Sequence, residues 1–211
     1  MFLTTLEVLL RGRIMVHKDP RREVVQKLSR FLTPSKKTTQ AGQTINAPYA
    51  VNEHELVTTI EGFRFLREKT SPDIPGRMML AAINEERAHG QILICYLEQD
   101  QNGNWRYSGG ASTSLGAPSH QPRVHLGGGG WPDHFHVGGY IIPAGQEISH
   151  VRLTGINGTE VEDRPENDIL LFFTDRKIEI PLLAEIYDFT GKVVASHNVF
   201  GGYIHTPDSR P

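Results

Sequence analysis

The 211-residue chain has a single cysteine, Cys95, so no disulfide can form within it. Cys95 sits in the apolar run QILICYL, where cysteine behaves as a small buried hydrophobe rather than a nucleophile. Also lacking is any window of ~18 apolar residues, the length a membrane-spanning helix needs. The opening stretch MFLTTLEVLLRGRIMV is mildly apolar but is a poor secretory signal. Its positive charge follows the apolar part, Glu7 interrupts it, and no small-residue cleavage site comes after it. These absences make a cytoplasmic protein the expectation, with Met15 as a second candidate start.

Catalytic and cofactor signatures are scarce too. There is no G-x-S-x-G nucleophile elbow. The glycine run 127–130 is followed by neither Lys-Ser/Thr nor a helix pattern, so it is not a phosphate loop. Five carboxylates cluster at Glu160, Glu162, Asp163, Glu166 and Asp168. Alternation sets Glu160 and Glu162 on an outer strand face, whereas a glycosidase needs two acids across a cleft. A net charge of −2 does not argue for nucleic acid; the basic N-terminal segment holds only Phe2 and Phe31 as aromatics, and the β body is acidic.

That near-neutral total hides an asymmetry. Residues 1–40 carry nine Lys/Arg against three acids, which leaves the remainder at −8. A basic arm on an acidic body suits docking onto that body or onto a partner. Two helices are expected in this arm. Phe2, Leu3, Leu6, Leu9 and Leu10 recur at helical spacing and stop at Gly12. The second has Asp19 as cap, Pro20 in the first turn, and an apolar stripe of Val24, Val25, Leu28, Phe31 and Leu32. Residues 34–50 are polar and aperiodic, as a linker would be.

The rest reads as strands. GFRFLREK, RMMLAAI, QILICYLEQ and WRYSGG, separated by turn residues, predict an antiparallel meander within 51–110. Residues 111–133, rich in Gly, Ser and Pro, lose periodicity and read as a connector. From 134 to 211 six short strands follow, with turn signals about every 8–12 residues, the spacing of a sandwich or barrel. Val151, Leu153 and Val161 share one face of a hairpin closed by Asn157-Gly158, while DILLFF suits a strand covered on both sides. The spacing is generically Ig-like, without the Cys…Trp…Cys hallmark. The expected fold is therefore mainly β: two N-terminal helices in a basic arm with linker (1–50), a meander (51–110), a connector (111–133), and an antiparallel β-sandwich (134–211). The two β regions are compatible with a shared core.

Four of the ten histidines fall between positions 120 and 136: His120, His125, His134 and His136. On a strand, His134 and His136 share a face, and His125 is a candidate third ligand for zinc or another divalent metal. Such a centre would make a metal-dependent hydrolase. Trp131 and Tyr140 are candidates for a carbohydrate- or peptide-binding surface. The leading expectation is a non-catalytic binding or assembly module without a cofactor, associating with a protein partner or with itself, because no complete catalytic constellation is present.

Overall fold

The computed structural model describes residues 18–31, 59–60, 62–84, 91–114, 118–131 and 134–200. One helix lies among them, α1 (Pro20–Phe31). It starts where the sequence places it, with the Arg21 amide donating to the Asp19 carboxylate at 3.0 Å. The expected helix over residues 2–10 and the linker 34–50 lie outside the described residues.

Twelve strands follow: β1 (Thr59–Ile60), β2 (Phe63–Thr70), β3 (Arg77–Asn84), β4 (Gln91–Gln99), β5 (Trp105–Ser114), β6 (Arg123–Trp131), β7 (His134–Ile142), β8 (His150–Gly155), β9 (Glu160–Asp163), β10 (Ile169–Thr174), β11 (Leu182–Tyr187) and β12 (Val193–Val199). They form three antiparallel sheets. The first is the meander β1-β2-β3-β4-β5, the middle sheet is β10-β7-β6, and the last is β12-β11-β8-β9.

Side-chain alternation stacks these sheets in order. Val24 and Val25 of α1 bury one face of the first sheet, against Phe63, Phe65, Leu80, Cys95 and Leu97. The other face of that sheet presents Met79, Ala81, Ile92, Ile94 and Tyr96 to Tyr140, Ile169, Leu171 and Phe173 of the middle sheet. The far side of the middle sheet packs Phe135, Val137, Leu170 and Phe172 on Val151, Leu153, Leu182 and Ile186 of the last sheet. The order is thus helix, sheet, sheet, sheet. β10 is buried at every position, as a strand covered on both faces must be. Each large apolar side chain sealed in these layers contributes about 1.5–3 kcal/mol.

One irregularity has a large consequence. The β2–β3 ladder slips between Phe65, paired with Ala82, and Arg67, paired with Ala81. Without this bulge Arg67 would share the helix-facing side with Phe63 and Phe65. The inserted Leu66 flips the parity, so Arg67 and Lys69 turn toward the middle sheet.

The connector expected over 111–133 is corrected. β5 runs on to Ser114, and Arg123–Trp131 form β6, which pairs with β7 from Arg123↔Ile142 to Trp131↔His134. Four glycines in a row carry no side-chain alternation, so the strand leaves no period in the sequence. What selects it is close packing. A Cβ on Gly127 would lie 3.2 Å from the Ser112 carbonyl oxygen, and one on Gly138 would lie 2.9 Å from Leu171. The sandwich expected from residue 134 onward therefore includes a strand that precedes it.

Candidate functional site

The middle sheet holds the predicted histidines and has two very different edges. On β7, His134 and His136 point together toward the first sheet, and both are buried. Tyr96 of β4 stacks on them, with ring centroids 4.8 Å from His134 and 4.5 Å from His136; the two imidazoles lie 5.2 Å apart. The Tyr96 hydroxyl donates to Glu98 at 2.9 Å, and Phe173 meets the His134 ring edge-on. Burial pushes His136 down to about 4, helped by neighbouring His134 and opposed by Glu98. At neutral pH this ring is an uncharged member of a packed aromatic stack.

His125 does not join that pair. It lies on β6 opposite Tyr140 and stacks on it at 4.9 Å. Tyr140 is four residues along β7 from His136, about 13 Å at strand rise. Among the described residues no three His, Cys, Asp or Glu side chains are grouped to hold a metal ion. Tyr140 is also no surface platform: it is buried, and its hydroxyl donates to the Ser114 carbonyl at 3.1 Å. The backbone of Trp131 ends β6 opposite His134, and its side chain lies outside the described part. Cys95 is buried, and its thiol is pushed up to about 12 by that burial. It is a core residue without nucleophilic character.

At the β10 edge lies a charged cluster that joins Asp163 and Glu166 of the acidic run to cations of β2. Asp163 at the end of β9 accepts from Arg67 at 2.5 and 3.1 Å, from Lys69 at 2.7 Å and from the Leu171 amide at 2.7 Å. Arg67 also donates to the Ile169 carbonyl, and Lys69 to the Leu171 carbonyl, each at 2.8 Å. Glu166 adds a contact to Arg67 at 3.2 Å. The Arg67 and Asp163 side chains are only 5% and 4% exposed. Together with the Glu166–Ile169 backbone bridge, these side chains take the outward backbone groups of Ile169 and Leu171, which obstructs strand addition along that half of β10. Sequence marks the partners only as the acidic run around Asp163 and the cations Arg67 and Lys69 among other polar residues of β2; the bulge that aims them is invisible to alternation.

The opposite edge, β6, is different. In an antiparallel ladder alternate residues bond to the same neighbour. The Val124 amide turns outward, to His197 Nε2 at 3.4 Å, so Leu126 and Gly128 turn outward as well. Among the described residues no backbone hydrogen bond beyond the sheet ladder reaches Leu126 or Gly128. Gly128 and Gly129 are exposed, and a Cβ at Gly129 would meet nothing within 4 Å. Gly128 has φ +137°, and a Cβ there would lie 2.6 Å from the His136 carbonyl oxygen, so the position demands glycine.

The other edges are each interrupted somewhere along their length. β1 has two residues. The Tyr107 amide of β5 donates to Glu23 of α1 at 3.2 Å. β9 has four residues, and Arg176 donates to the Glu160 carbonyl at 2.7 Å. β12 is broken by a bulge, with Ile186 opposite Ala195 and Tyr187 opposite Val193. Short strands, bulges and side-chain covers are the devices by which sheets avoid unwanted pairing.

Two surface features carry less chemistry. On the outer face of the last sheet His150 stacks on Tyr187 at 4.5 Å, while Arg152 lies over Tyr187 and pairs with Glu162 at 2.7 Å. Glu160 and Glu162 are thus solvated and paired, as alternation predicts. A shallow, open depression is lined by Asp73, Glu160, Glu162, Phe173, Thr174 and Arg176. In it the Thr174 hydroxyl accepts from the Arg176 amide at 3.2 Å.

Among the described residues no helix is long and apolar enough to cross a membrane. No protein-family model, curated protein or solved structure matches this chain.

Proposed function

We propose that this protein is a non-catalytic assembly module that associates with a protein partner through the β6 edge of its middle sheet. The observation that carries this reading is the unequal treatment of the two edges. At β10, Arg67, Lys69 and Asp163 hold the outward backbone groups of Ile169 and Leu171. At β6, a nine-residue strand leaves Leu126 and Gly128 facing outward beside exposed glycines. Strand addition at an open edge is a recurrent mode of protein recognition, with main-chain hydrogen bonds supplying the affinity. Glycine at the edge removes the side chains that would obstruct an arriving backbone. A generic Ig-like relation for the sandwich belongs to this reading, supported by strand spacing alone.

The alternative, a metal-dependent hydrolase centred on His134 and His136, has weaker support. Both rings are stacked on Tyr96, and the expected third ligand, His125, stacks on Tyr140 instead. Metal chemistry also needs an open coordination position beside its ligands.

Amide hydrogen exchange tests the proposal directly. In dilute protein the Leu126 and Gly128 amides should exchange at rates near those of an unprotected chain. The Leu171 amide, held by Asp163, should exchange far more slowly. Equal protection at all three would show the β6 edge already closed and would refute the reading.

A further inference from the structure

We infer that the strand added to β6 is β6 of a second copy, antiparallel, across a two-fold axis at Gly128. This rests on the reading of β6 as the open edge and names its occupant. An antiparallel edge is self-complementary, because directly opposite residues exchange both N–H···O bonds. With the axis at Gly128, that residue faces its own copy and Leu126 faces Gly130. The one bulky outward-bonding side chain near the centre thus meets a position with no side chain. Positions 127–130 are all glycine, so two backbones can approach without a clash over that stretch.

The other edges decide how far such assembly goes. If β10 were open, β6 of one copy could pair with β10 of the next and the sheets would run on into a filament. Arg67, Lys69 and Asp163 hold the Ile169 and Leu171 groups of that edge, which opposes growth beyond two copies. The pairing segment is also bounded at one end. The Val124 amide is already taken by His197, which leaves residues 126–130 to pair. A contact this short gives a dimer that forms and dissociates with protein concentration rather than a permanent one.

Three measurements on the full chain test this together. Light scattering across a hundredfold concentration range should show the mass rise from one chain toward two. A single reactive thiol is introduced by Gly129→Cys, a position with open space around it, while native Cys95 stays buried and inert. The two thiols of a dimer would lie roughly 8 Å apart, from the strand spacing and rise. A short bismaleimide should therefore link Gly129→Cys into a covalent dimer and leave Gln101→Cys, on a remote exposed turn, monomeric. Gly129→Lys should abolish dimerisation at low salt while leaving the near-UV circular dichroism unchanged.

A dimer in which Gly129→Cys fails to cross-link and the Leu126 and Gly128 amides stay fast overturns the inference. So does a chain that remains monomeric with those amides fast, although the open edge then stands for a different partner. Amides already protected in the monomer overturn both the inference and the reading beneath it.

Discussion

Replacing Asp163 with alanine should be the most damaging surface-independent change in this fold, and its size follows from burial. The carboxylate takes four hydrogen bonds, two from Arg67, one from Lys69 and one from the Leu171 amide. Lys69 is 25% exposed at its side chain and can turn to water, but Arg67 at 5% cannot. The variant takes the buried carboxylate from a buried guanidinium, which keeps only the Ile169 carbonyl and Glu166, and leaves the Leu171 amide without its acceptor, a loss of about 3–5 kcal/mol. For a chain of this length that lowers Tm by roughly 6–20 °C. Arg152–Glu162 makes an ion pair at a similar distance, 2.7 Å, but its side chains are 31% and 48% exposed. Glu162→Ala should therefore cost no more than about 1 kcal/mol. Urea unfolding of both variants measures the difference. The double variant Arg67→Met/Asp163→Leu removes both charges together and should recover much of the loss. If Asp163→Ala costs no more than Glu162→Ala, burial is not what gives the cluster its weight and the reasoning fails. The single variant also frees the outward Leu171 amide at the β10 edge, which should raise its tendency to self-associate.

Further expectations concern single positions. Gly128→Ala should destabilise by about 1–3 kcal/mol, because its φ of +137° and the nearby His136 carbonyl both oppose a Cβ, while Gly129→Ala should be near neutral; thermal melts compare the two. His136 titrates at about 4 when folded, against an ordinary 6.5. Between those pH values the unfolded chain binds a proton that the folded chain refuses, so stability falls as pH drops through that window and levels off below it. The loss should be about 2 kcal/mol, read as a urea midpoint that shifts between pH 7 and pH 4.5, and His136→Phe should flatten it. Cys95 should react with a thiol reagent only as fast as the chain unfolds, and immediate labelling of the native protein would contradict its burial.

Local signals in the sequence recover the elements whose side chains alternate. Val151, Leu153 and Val161 mark the inner face of the last sheet, and the run ILLFFT marks a strand covered on both sides. Asp19 marks the start of α1, and Asp100 marks the turn before β5, where it accepts the amides of Asn102 and Asn104. The pairing of His134 with His136 on one face follows from a period of two. The separation of His125 from that pair does not, because cross-strand register decides it.

What the sequence by itself determined is the class of the protein: antiparallel strands, their turns, one capped helix, and the faces they bury. Those features depend on neighbours a few residues apart, and side-chain periodicity records them. Only the tertiary structure decided that the glycine run is a strand, that β2 slips to turn Arg67 and Lys69 inward, and that one edge of the middle sheet is closed while the other lies open. Glycine writes no period, a bulge reverses parity without changing composition, and Arg67 meets an Asp163 that lies 96 residues away along the chain.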